Sequence, residues 1–123
     1  MPSVTLITNV KLASDEATKA FVLELSKFCA KTIGKDEKGF HVNFQYNPFL
    51  AYGGTFEPAV ALTTASLFNT NAENAKIWSK AFSEFFQERI GVPKDRGYMS
   101  FVDPDPALLG MRGTTAAEIF KKS

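Results

Sequence analysis

The sequence predicts an α+β fold in which two βαβ units share one four-stranded mixed sheet with both helices on one face. The first observation behind this is an internal repeat. A shift of 57 positions, the separation of Gly34 and Gly91, lays Ser14 on Asn71, Glu16 on Glu73, Phe21 on Trp78, Leu25 on Phe82, Phe28 on Phe85 and Ile33 on Ile90. The second is that these pairs mark the start, the buried face and the end of two helices. The third is that strand-like runs flank each of those helices.

Residues 3–9 read as the opening strand. Ser14 then offers a side-chain oxygen to the free N–H groups of a first helical turn, and Asp15 and Glu16 suit the positive end of the helix dipole. Ala17, Phe21, Leu25, Phe28 and Cys29 recur at the spacing of one buried helical face. Gly34 stops this helix, because glycine takes the left-handed cap without a Cβ clash. A second strand covers residues 40–46, where Val42, Phe44 and Tyr46 alternate with His41, Asn43 and Gln45. Residues 58–66 form the third strand. Asn71 caps the next helix, whose buried face is Trp78, Ala81, Phe82, Phe85 and Phe86, and Gly91 and Pro93 end it. Residues 97–102 form the last strand of the sheet.

Each strand–helix–strand crossover joins parallel strands, and two such units most simply make a ferredoxin-like layer. The second face of that sheet carries polar, mostly uncharged side chains. It faces water or another subunit, and we favour oligomerisation. Short extra strands at 50–52 and 108–111 could extend the sheet across subunit edges.

At 123 residues, with 45% hydrophobic and 22% charged residues, the chain reads as one globular domain over 1–123. Its repeat units cover about 2–57 and 58–111, and a tail runs from 112 to 123. Twelve phenylalanines predict an aromatic-rich core, and a net charge of +1 without a basic run gives no reason to expect nucleic acid. The single cysteine, Cys29, excludes an intramolecular disulfide, and the single histidine, His41, has no second ligand to share a metal with. His41 reads as a strand residue hydrogen-bonded to a neighbour. No apolar run is long enough to span a bilayer, and the first thirty residues lack a signal-peptide pattern. The default compartment is the cytosol.

Two residues stand out as candidates for chemistry. Pro2 reads either as a strand-opening proline that tolerates a missing donor or, once Met1 is removed, as a secondary amine. A terminal amine ionises near pH 8, and burial beside a cation would bring it into the range of a general base. Lys35 follows the helix-ending Gly34. It either complements the helix dipole or binds a substrate carboxylate. Gly53-Gly54 with Glu57-Pro58 reads as a turn entering a strand, and Asp103-Pro104-Asp105-Pro106 as a stiff turn. Tyr98 opens a strand and serves either the core or a pocket.

Pro2 with Thr8-Asn9-Val10, Gly34-Lys35, Gly53-Gly54 with Glu57-Pro58, and Asp95-Arg96 before Tyr98 resemble, in order and spacing, the family of macrophage migration inhibitory factor and D-dopachrome tautomerase. The resemblance covers residues 2–111. It implies a homotrimer around a central channel, and cofactor-independent keto–enol isomerisation of phenylpyruvate-like or dopachrome-like substrates. It implies Pro2 as the acid–base group, Lys35 as the carboxylate binder, Leu67 as an apolar position with its N–H beside the substrate, and Tyr98 as a pocket residue from an adjacent subunit. Ser100 stands where many animal members have asparagine, Met111 replaces a pocket-rim tryptophan, and residues 59–62 lack a Cys-x-x-Cys motif. The tail is longer and more basic than the family pattern, with a short helix expected at 116–121.

Two functions follow. One is an enzyme acting on small aromatic keto acids. The other is a cytokine-like or host-modulating protein that binds a cell-surface receptor, with a residual pocket; it would need export by an unconventional route.

Overall fold

A computed structural model describes residues 2–121. Strand β1 (Pro2–Thr8) leads to helix α1 (Asp15–Ile33), then β2 (His41–Tyr46), β3 (Val60–Ser66), α2 (Ala72–Ile90) and β4 (Gly97–Val102). The sheet order is β2-β1-β3-β4. β1 runs parallel to β2 and β3 parallel to β4, while β1 and β3 meet antiparallel at the centre with Thr5 opposite Thr63. The mixed four-stranded layer is the predicted one.

The helices begin and end where their caps stand. The Ser14 side chain accepts from the Ala17 N–H and that of Asn71 from the Asn74 N–H, while Gly34 and Gly91 adopt left-handed backbone at φ 80° and 69°. Shifted by the repeat spacing, α1 superposes on α2 residue for residue, each 19 residues long.

Val4 and Leu6 of β1, Val60 and Leu62 of β3, Phe21, Leu25, Cys29 and Ile33 of α1, and Trp78, Phe82, Phe85, Phe86 and Ile90 of α2 are buried between helices and sheet. Phe28 joins the helices by stacking on Phe85 at 4.3 Å and meeting Phe82 edge-on at 5.3 Å. Burial raises the Cys29 thiol to about 12, so it stays protonated and packs as a small apolar group. At Gly97, beside Val60 in the sheet, a Cβ would lie 2.6 Å from Val60 Cγ2, so glycine is needed for close approach.

Several expectations change. Residues 50–52 form no strand: Gly53-Gly54 turns the chain back, leaving one bridge between Tyr52 and Thr55. Of 108–111, only Gly110–Met111 form a strand, β5, and it pairs with β6 (Thr114–Thr115) of the same chain. Asp105 caps a 3₁₀ turn at Pro106–Leu108, which takes Leu108 out of the strand. The tail helix α3 is Ala116–Ile119, capped by Thr115. The core is aromatic-rich, yet Phe49, Phe56, Phe68 and Phe120 are exposed, as is Tyr46.

The residues 9 and 50–59 form a knot at the far end of the sheet from Pro2. Asn9 Nδ2 donates to the carbonyls of Leu50, Phe56 and Glu57, and its Oδ1 accepts from the Ala59 N–H. Arg96 donates to the carbonyls of Pro58 and Glu57. The turn motif is thereby clamped to the start of β3.

Candidate active site

The opposite end of the sheet gathers the candidate chemistry. The antiparallel register sets Pro2, which is buried, beside Ser66, the last residue of β3. Helix α1 delivers the chain to the same edge. Gly34 reverses it, and the Lys35 ammonium that follows donates to the Leu67 carbonyl at 2.5 Å. Lys35 therefore sits one residue beyond the sheet partner of Pro2. The intervening turn is locked by Asn69: its Oδ1 accepts from Ser66 Oγ at 2.6 Å and its Nδ2 donates to the Ile33 carbonyl at 3.0 Å. Thr70 Oγ1 closes the turn onto the Ser66 carbonyl at 2.8 Å. The ends of α1 and β3 are thus joined by side-chain bonds.

Burial lowers the pKa of Lys35, and the Asp103 carboxylate opposes that shift. Asp103 Oδ1 also accepts from the Phe68 N–H at 3.4 Å. This aspartate was read in the sequence as part of a stiff turn. Strand register brings it here, because it directly follows β4, whose Val102 pairs with Ala65 of β3. A cation held in partial burial is suited to a carboxylate ligand, and it disfavours a second positive charge on a neighbouring amine.

An aromatic pair flanks this edge. Phe68 is 67% exposed and has φ 73°, and its ring meets Phe120 of the tail edge-on at 5.9 Å and 90°. Sequence reasoning missed both residues; periodicity carries no signal for a docked tail.

Tyr98 and Ser100 lie elsewhere. They occupy the sheet face opposite the helices, in exposed positions alternating with Met99 and Phe101, which pack on the core. Tyr98 pairs with Ala61, five residues along β3 from Ser66 or roughly 17 Å. It stacks on Tyr52 at 5.5 Å, and Arg96 lies over that ring at 5.2 Å. Met111 sits in the β5–β6 hairpin. One chain therefore brings together Pro2, Lys35 and Leu67, and holds Tyr98 and Ser100 apart from them. A groove of about 700 Å³ between α2 and β4, lined by Lys76, Lys80, Met99 and Phe101 among others, includes none of these residues.

A buried proline at the start of the first strand and a lysine ammonium at the same edge, on two βαβ units sharing one sheet, define a class of small α+β proteins. The sequence matches the family model described as macrophage migration inhibitory factor over residues 1–117, and the chain belongs to that family. It is 31% identical to the MIF-like protein mif-2 of Caenorhabditis elegans over 122 residues, covering 99% of this chain and all of that protein. The solved macrophage migration inhibitory factor of Trichinella spiralis superposes with a TM-score of 0.83 at 25% identity, over 92% of this chain and 98% of that one. A protein solved after inactivation by 2-oxo-3-pentynoate shares the fold with a TM-score of 0.82 at 21% identity, over 97% and 99% of the two chains. Among the described residues, no helix is long and apolar enough to cross a membrane.

Proposed function

We propose that the protein is a keto–enol tautomerase of phenylpyruvate-like 2-keto acids, in which Pro2, freed by removal of Met1, is the acid–base group. The observation that carries this reading is the Lys35 ammonium held on the Leu67 carbonyl at the sheet edge where Pro2 begins. The lysine pairs with the substrate carboxylate and orients the adjacent keto group. The Pro2 nitrogen takes a proton from C3, the C–H electron pair forms the C2–C3 double bond as the carbonyl pair moves onto oxygen, and the protonated Pro2 returns that proton to the oxygen, giving the enol and the free amine. Leu67 presents its backbone N–H beside the substrate, and Met111 lies at the rim.

Tyr98 and Ser100 enter the site from a neighbouring copy in a homotrimer. Their placement on the far sheet face, well removed from Pro2 of the same chain, supports this. Dopachrome-like substrates fit the same arrangement, because they too present a carboxylate beside an acidic C–H bond.

The test uses tag-free protein whose amino terminus is verified by mass. Phenylpyruvate turnover is expected to fall to background in Pro2→Gly and when one residue precedes Pro2, with the circular dichroism spectrum unchanged. The alkyne 2-oxo-3-pentynoate is an acceptor for an unprotonated amine, so it is expected to add to Pro2 and raise the mass by one reagent, at a rate that climbs with pH and then levels. Turnover that survives both changes would reject the proposal. Wild-type protein without turnover on any keto acid, yet with specific cell-surface binding, would favour the receptor-binding reading.

A further inference from the structure

We infer that Phe68 is the specificity-determining residue of this site, an aromatic wall that selects 2-keto acids bearing an aryl group. The inference rests on the tautomerase reading and names the part of the substrate that the Pro2–Lys35 edge leaves unrecognised. Lys35 accounts for the carboxylate and Pro2 for the proton; neither grips a ring.

Phe68 directly follows Leu67, whose carbonyl holds the Lys35 ammonium. Its backbone is left-handed at φ 73°, a conformation costly for a bulky side chain and normally left to glycine. Burial of the ring does little to offset that cost, since the residue is 67% exposed. Three contacts nonetheless fix it in place. Its N–H is held by Asp103 Oδ1 at 3.4 Å, the following residue Asn69 is tied to the Ile33 carbonyl at 3.0 Å, and the Phe120 ring meets it edge-on at 5.9 Å. A strained, solvent-facing phenylalanine that is buttressed on its flanks and directly follows the residue whose carbonyl holds the Lys35 ammonium presents an open face to a second ring. Phenyl rings at such a face gain from offset or edge contacts. Within the same chain Met111 has no ring to supply that contact, and the Tyr98 ring proposed for the site belongs to a neighbouring copy.

Phe68→Gly is the informative variant, because glycine adopts this backbone freely and the fold is not at risk. Its melting temperature is expected to equal or exceed that of the parent. For phenylpyruvate, KM is expected to rise about 3- to 10-fold with kcat retained. For 2-oxobutyrate, which has no ring, KM is expected to stay unchanged. Phe68→Tyr is expected to keep the parental preference. An unchanged aryl-to-alkyl KM ratio in Phe68→Gly, or equal losses on both substrates, would overturn the inference.

Equilibrium titration with 3-phenylpropionate and butyrate, followed by NMR, separates this inference from the catalytic reading. If the parent turns over neither keto acid, the catalytic reading fails. Selective binding of the aryl carboxylate that is lost in Phe68→Gly still supports the aromatic wall. No aryl preference in the parent, or one that survives the substitution, removes it.

Discussion

Lys35 concentrates the electrostatics of the candidate site in a single side chain. Burial favours its neutral form and Asp103 favours its charged form, with burial the larger effect, so its pKa lies below the ordinary 10.5. Affinity for a carboxylate substrate should therefore begin to decline on the alkaline side at a pH below that of a free lysine. Replacing Lys35 with alanine removes a charge-assisted hydrogen bond, and KM for phenylpyruvate is expected to rise about 10- to 100-fold. The methyl ester of the same acid should be nearly unaffected. Steady-state kinetics on the two substrates checks this, and equal losses would assign Lys35 a structural role.

Thr64 is the complementary case, a polar group with no visible task. It is fully buried on the helix side of β3, and its hydroxyl meets no hydrogen-bond partner among the described residues. Thr64→Val keeps the shape and removes the unpaired group. It is expected to raise the unfolding free energy by about 1 kcal/mol in a urea titration. A loss of stability would show that the hydroxyl binds a water.

At the scale of the elements, the helices are where sequence and structure agree most closely. Caps at Ser14, Asn71, Gly34 and Gly91 are local signals, each written within a few residues of the bond it makes. The connection at 50–59 depends on a distant residue instead. Asn9 makes four hydrogen bonds to that segment across some fifty positions of chain, so the turn residues reveal a turn and not its anchor. Asn9→Ala is expected to cost about 1–3 kcal/mol, since three carbonyls, two of them exposed, and one half-buried N–H lose their partner together. Hydrogen exchange should accelerate in 50–59 while α1 and α2 stay protected. Uniform acceleration across the molecule would contradict a local anchor.

For the whole molecule, the outer face of the sheet is the feature that an isolated chain leaves unexplained. Across the four strands it presents the rows His41–Ser3–Ala65–Val102, Asn43–Thr5–Thr63–Ser100 and Gln45–Ile7–Ala61–Tyr98. None of these residues is Lys, Arg, Asp or Glu, the types that ordinarily dominate a solvated face. A face of this kind suits coverage by other copies, as the proposed homotrimer requires for Tyr98 and Ser100 to reach a neighbour's site. Sedimentation is expected to give three chains per particle. Thr63→Lys, at the centre of the face, is expected to yield monomers and to abolish phenylpyruvate turnover with them. A fully active Thr63→Lys monomer would show that the site needs no second copy.

Much of the fold was legible because its signals are short-range. Caps, the four-residue recurrence of Phe21, Leu25 and Cys29, and strand alternation are all read within one element. The twofold repeat then dictates how the elements pair. Pro2 and Lys35 could be singled out as candidates from their position in the chain and from a resemblance. Their meeting at one edge, through Leu67, follows from the β1–β3 register. Phe68, Asp103 and Phe120 were beyond the reach of pattern. A left-handed phenylalanine carries no local marker, Asp103 acts through a strand end paired some thirty-five residues away, and Phe120 is placed by a two-residue hairpin at Arg112-Gly113. Local chemistry determined the elements by itself; only the register between strands and the docking of the tail decided which side chains share an edge.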